Sequence, residues 1–271
     1  MLALIKRTIF VRRKSLLIYI IISALLVWMF VVFFPSMHQQ AEELSKAFAN
    51  YPESFLKAFG FDRGTIGNIL FNIESFLAIE HYSIMWPIIV LVLTVSLGSS
   101  FLSGEVDEGT IEILLAQPLS RSKIYFSKYI AGFLIISIFV LASVFSVIPF
   151  ALLHDVDINL KSHLMVAGIG LLFSLAIFSV SMMFSSMFSD KGKSTSISAG
   201  IMLGMYALNL FSSLKESAEN LRYVSFFYYF DFQAAMLDHK IALLNVCVFL
   251  GVILICSIVG MVVFVKRDFA T

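Results

Sequence analysis

Six stretches of this chain, residues 15–34, 82–102, 129–153, 163–188, 195–214 and 241–264, contain no Asp, Glu, Lys or Arg. A helix needs roughly 20 apolar residues to cross the hydrocarbon core of a bilayer, and each stretch is long enough to do so. The expected fold is therefore all-α: a polytopic membrane protein with six transmembrane helices. Composition supports this, since 59% hydrophobic against 14% charged residues is not the make-up of a soluble domain. A formal net charge of +1 points to no nucleic-acid partner and leaves the lipid bilayer as the surrounding medium.

The ends and connections set the orientation. Leu2, Ile5 and Ile9 repeat at helical spacing among Lys6, Arg7, Arg12, Arg13 and Lys14, the pattern of an amphipathic amino-terminal helix on an anionic leaflet. The apolar run behind it is too long for a signal-peptide core and has no small-residue cleavage site after it. It is expected to persist as the first span, stopping at Pro35. Residues 35–81 form a long, acidic outer connection. Within it, Pro52 and Gly60 suit the two ends of a short helix, and Ile66, Ile69, Leu70, Ile73 and Leu77 form an apolar stripe suited to the outer membrane face. With the amino terminus inside, 12 of the 19 basic residues but only 6 of the 18 acidic ones fall on the cytoplasmic side. The positive-inside rule then places both termini in the cytoplasm.

Between the second and third runs lies a charged island, residues 103–128. On one helix from Glu105 to Ala116, the acids Glu105, Glu108 and Glu112 share a narrow stripe. Val106, Ile111, Ile113, Leu114 and Leu115 cover the rest, with Asp107 intruding among them. Such a helix is too short to span and is expected to lie along the interface, acids toward water. Gln117-Pro118 breaks it, Ser120 can cap the next helix, and Arg121, Lys123 and Lys128 form a basic shoulder.

This order of features resembles the cytoplasmic coupling helix of exporter permeases in the ATP-binding-cassette (ABC) superfamily, type-2 (ABC-2) class. The resemblance is carried by Gly104-Glu105, Glu108-Gly109-Thr110, Glu112, Leu114-Leu115, Pro118, Ser120-Arg121 and Lys128, while Leu119 stands where the family more often has valine. It implies that residues 1–271 form a single transmembrane permease domain in the plasma membrane. ATP would be bound by a separate ABC ATPase subunit, so that no cofactor is expected in this chain. A second permease chain, identical or different, would complete a dimer. The residues expected to couple to the ATPase are Glu105, Glu108, Gly109, Thr110, Glu112, Leu115, Pro118 and Arg121. The pattern from Pro52-Glu53 to Gly60 also resembles the family. So does the loop 215–240, where the family carries short re-entrant helices; read from residues alone, its aromatics Phe226 to Phe232 suit an interfacial belt.

Other chemistry is poorly supplied. Gly192-Lys193-Ser194 ends like a phosphate-binding loop, but the motif's first glycine would fall on Met187 and the segment follows a membrane helix, so a basic turn is expected. No metal-spaced Cys/His cluster occurs in the sequence. His38, His81, His154, His163 and His239 lie in or beside outer connections and are expected to be solvated, and Cys247 and Cys256 to be small buried hydrophobes. Two other classes stay open: an ion-coupled secondary carrier and an intramembrane enzyme. The first needs a titratable group near the midplane and the second a nucleophile with its base or a metal, and charge-free spans disfavour both. Ser174, Ser179, Ser181, Ser185 and Ser186 are assigned to helix packing, whereas the GxxxG pair Gly200 and Gly204, a spacing frequent by chance in apolar helices, leaves packing and no role equally open. Hydroxyls with Tyr206, Asn209 and Asn245 are the prominent polar groups deep in the later spans. They suit a hydrophobic or amphiphilic substrate better than a dehydrated cation.

Overall fold

The computed structural model of the chain describes residues 1–39, 72–214 and 216–268. The short helix expected at Pro52 to Gly60 lies outside them, as does the Ile66 to Leu70 part of the expected apolar stripe, whose Ile73 and Leu77 are buried in the second span instead of resting on the outer membrane face. The described residues are helical, without a strand, and contain six helices long and apolar enough to cross a membrane.

The expected amphipathic helix and first span are one continuous element, α1 (Leu2–Gln39), which runs on through Pro35. No glycine or proline interrupts it before Pro35, and Leu4, Ile5, Thr8 and Leu16 are buried against the bundle, so the basic stretch continues in line rather than folding onto the membrane surface. Its 38 residues reach about 57 Å at ~1.5 Å per residue, more than the ~40–45 Å of a whole bilayer.

The second span, α2 (Ile73–Phe101), also starts earlier than expected, and its Ala78–Met85 turns are π-helical. This brings Glu74 and Glu80 onto the outermost turns of a membrane-length helix. Glu80 is exposed, whereas Glu74 is buried and accepts the Asn159 backbone N–H. The third span is α5 (Arg121–Phe145) continued by α6 (Val147–Leu153) across a break at Ser146. Then come α7 (Leu160–Met187), α8 (Lys191–Leu214), a 3₁₀ stretch Glu216–Val224, the short helices α9 (Phe226–Tyr229) and α10 (Phe232–Met236), and α11 (Leu243–Lys266). The elements of the charged island, α3 (Ser103–Asp107) and α4 (Ile111–Leu115), close one end of the bundle, called here the basal end.

Helix α7 is the hub, packing against α2, α5, α8, α10 and α11, and it is the most buried of the six. Its small residues make this possible. Ser174 and Ser179 donate back to the Gly170 and Leu175 carbonyls at 2.6 and 2.7 Å, so their hydroxyls enter the core already satisfied. At Gly98 of α2, a Cβ would lie 2.6 Å from the Ser181 Cβ and 3.0 Å from the Met182 nitrogen, so α2 and α7 approach as closely as backbones can. By contrast α1, α8 and α11 leave most of their surface open. A Cβ at Gly200 or Gly204 would meet nothing within 4 Å, so among the described residues that pair packs against nothing. Cys247 is exposed and Cys256 half-buried, not the core residues expected, because α11 buries only one face.

Two further expectations change at the other, distal end. The aromatics after Ser225 are not a belt. Phe226, Tyr229 and Phe230 are buried, and the Phe230 ring stacks on Phe173 at 4.6 Å and on Trp86 at 5.5 Å, so α9 and α10 plug the bundle as two short inserted helices. Trp86 in turn donates its indole N–H to Ser143 at 3.1 Å. Nor are His81 and His163 solvated: both are fully buried. The His81 ring lies edge-on to Phe30 and Tyr82, and the His163 Nδ1 lies 3.1 Å from the Asn159 carbonyl. His154 is exposed, as expected.

Candidate functional site

The charged island is built up from a node of serines. Where α2 ends, the Ser185 hydroxyl of α7 accepts the backbone N–H groups of Leu102 (3.2 Å) and Ser103 (2.9 Å) and donates to the Ser99 carbonyl at 3.0 Å. Those amides have left the ladder of α2, and a buried amide without a partner would be costly. Ser185 thus fastens the island to the most buried helix.

One uninterrupted helix from Glu105 to Ala116 does not form. Gly109 adopts φ +67°, in the left-handed region that glycine tolerates best, and splits it into α3 and α4. The Thr110 N–H returns to the Glu105 carbonyl at 2.8 Å, closing the turn. The acid stripe is consequently divided. Glu105 turns inward, pairing with the Lys128 ammonium at 2.5 Å and accepting the Thr110 hydroxyl. Asp107, Glu108 and Glu112 stay exposed. Burial works to raise the pKa of the Glu105 carboxyl, but the Lys128 charge and hydrogen bond, the Thr110 hydroxyl and the Arg7 charge outweigh it, holding the group below its ordinary value.

In α4, Ile111 and Leu114 are buried, Leu115 is half-buried and Ile113 is 66% exposed, so an apolar side chain stands beside the free acids. The Ala116 N–H bonds to the Glu112 carbonyl at 2.8 Å, Gln117 and Pro118 make the elbow, and Ser120 caps α5 by accepting the Lys123 N–H at 3.4 Å. Arg121 then reaches across the basal end and donates to the carbonyls of Val265 (3.2 Å) and Arg267 at the end of α11. Arg267 donates to the Ser186 and Phe188 carbonyls at 2.9 and 3.0 Å, at the end of α7.

All eight expected site residues therefore sit at one end of the bundle, in two roles. Glu108, Glu112 and Pro118 are exposed, with Gly109 as the turn between the acids; Glu105, Thr110, Leu115 and Arg121 hold the segment in place. Sequence reasoning missed the pairing partner Lys128, the anchor Ser185 and the latch Arg267. Their contacts join residues 23, 82 and 81 positions apart, so local spacing carries no signal of them.

Among curated proteins none matches this chain. A family model does, described as ABC-2 family transporter protein and aligned to residues 2–269. With that match over nearly its whole length and six membrane-length helices, the chain belongs to the ABC-2 transporter family.

Proposed function

We propose that this chain is the permease half of an ABC exporter, working with a second permease chain and with separate ATPase subunits that bind and hydrolyse ATP. The observation that carries the reading is the basal segment. Asp107, Glu108 and Glu112 project from short helices that Ser185, Lys128 and Arg121 fasten to the bundle. A segment that presents charge outward and is stiffly held inward can receive a push and pass it to the membrane helices. Glu105, Thr110, Leu115, Gly109 and Pro118 shape that segment, and Glu108 and Glu112 meet the ATPase.

In this reading the basal end is cytoplasmic, both termini included, and the membrane is the plasma membrane. Ser120 and Asp157 then lie on opposite sides. With Cys247→Ser and Cys256→Ser as background, an impermeant thiol reagent on intact cells is expected to label Asp157→Cys and to spare Ser120→Cys until the membrane is permeabilised. The reverse pattern would overturn the topology.

The substrate we propose is hydrophobic or amphiphilic. Among the six membrane-length helices carboxylates occur only on the outer turns of α2, and the polar groups of α8 and α11 away from their terminal charges include hydroxyls, Tyr206 and Asn209, with Asn245 on the first turn of α11. An amphiphile loses little on leaving the leaflet, whereas a cation would need its hydration replaced. In liposomes with its ATPase, the chain is expected to show ATP hydrolysis raised severalfold by lipid-like compounds or apolar peptides. ATP-driven sodium flux with no response to any amphiphile would sink this reading.

A further inference from the structure

At the basal end a cavity of about 220 Å³ lies between the first three turns of α1 and the segment of α3 and α4, closed on one side by Lys128. Its charged lining is Arg7, Arg12 and Lys128 against Glu105 and Glu108, three cations to two carboxylates and so a net +1. Lys128 and Glu105 satisfy each other at 2.5 Å, and Glu108 is exposed. The unmatched charge therefore belongs to the two arginines. Among the described residues neither guanidinium has a hydrogen-bond or ion-pair partner, although the Arg7 charge acts on Glu105.

The depth of the cavity says which anion is at hand. The charge-free part of α1 begins at Ser15, three residues beyond Arg12 and eight beyond Arg7. At ~1.5 Å per residue Arg12 stands about 5 Å, and Arg7 about 12 Å, outside the hydrocarbon. The headgroup layer on each face is roughly 5–8 Å thick, so the Arg12 backbone lies within it, while the Arg7 backbone stands roughly 4–7 Å beyond it, a gap that the long arginine side chain can bridge. Lys128 borders the charge-free run of α5 in the same way, and Gly104 lies two residues past that of α2. Val11 and Ile113, both in the lining, are 65% and 66% exposed and give the cavity an apolar lip.

We propose that this cavity binds the phosphodiester headgroup of an anionic glycerophospholipid from the surrounding leaflet, held by Arg7 and Arg12. A phosphodiester carries one negative charge, which matches the surplus, and its paired oxygens fit the guanidinium fork. Val11 and Ile113 then cover the glycerol and first methylenes. Free inorganic phosphate would leave those two side chains bare, and a zwitterionic headgroup would bring its own cation against the arginines. Basic pockets between membrane helices recognise headgroups by this chemistry.

The test uses the purified full chain, stripped of lipid in neutral detergent, with binding counted by native mass spectrometry. One phosphatidylglycerol per chain is expected, at least about tenfold tighter than phosphatidylcholine. The double substitution Arg7→Gln, Arg12→Gln should weaken it at least about tenfold. The pair Lys6→Gln, Lys14→Gln removes the same charge from the same helix outside the cavity, and should change binding less than about threefold. Should the first pair fail to fold, Arg7→Lys with Arg12→Lys keeps the charge but loses the fork, and a severalfold loss is expected. Equal losses from the Arg7/Arg12 and Lys6/Lys14 glutamine pairs would overturn the proposal in favour of diffuse attraction. Displacement of the lipid by inorganic phosphate, or equal binding of phosphatidylcholine, would overturn it too. Because the readout involves no ATPase, its failure leaves the coupling reading standing, and the reverse also holds.

Discussion

Glu112→Arg is expected to leave the chain folded and inserted, yet to cut transport per ATP hydrolysed at least about tenfold. Glu112 is exposed on α4, so its replacement removes no packing from the bundle. What changes is the face proposed to meet the ATPase. Setting like charges against each other at a docked surface costs several kcal/mol, and each ~1.4 kcal/mol is a factor of ten. Asp157→Arg, an equal charge reversal at the distal end, should leave transport per ATP unchanged. Reconstitution of each variant with the ATPase, following substrate flux and phosphate release together, measures the ratio. A Glu112→Arg complex that assembles and transports at the wild-type rate would show that this segment does not couple.

Lys128→Met should act on the fold itself. The Glu105 side chain, 26% exposed, would keep its charge but lose its ammonium partner. Removing one member of a buried pair costs about 3–5 kcal/mol, and partial exposure brings this to roughly 2. That corresponds to a melting temperature lower by on the order of 5 °C. The sign of the pH dependence follows from the depressed pKa of Glu105. In the wild type the pair's contribution is complete above the ordinary carboxylate pKa and is lost as pH falls through the lower folded value. The gap between variant and wild type should therefore be widest near neutral pH and narrow under acid. Adding Glu105→Gln should restore most of the loss. A gap that is constant from neutral to acid pH would mean that Lys128 acts through packing alone.

Charge-free length made the six spans and the basal island legible in the sequence, because the bilayer constrains both locally. Their ends were less so. Nothing in the residues around Lys14 separates a helix lying on the membrane from one running on in line; burial of Leu4 and Leu16 against other helices decides it. The acid stripe had the right periodicity on a helix that does not persist. The glycine at 109 was the available signal, and helical spacing read across it put Glu105 on the wrong face. The aromatics 226–232 have a composition that suits a belt and a plug equally. Only the stack with Trp86 and Phe173, both more than 50 residues away in the chain, distinguishes the two.

The guanidinium contacts of the basal end govern how these helices can move. Arg121 hangs the foot of α5 on the last carbonyls of α11, and Arg267 hangs the tail of α11 on the last carbonyls of α7. The third, sixth and fourth spans are thereby moored in series, each by donors of a rigid fork. A single one of them cannot slide lengthwise without breaking a mooring, but all three can tilt together while every contact survives. On the proposed coupling role, displacement delivered at this end would rock a three-helix block instead of pistoning one helix, with an amplitude growing with distance from the moorings toward the aromatic plug.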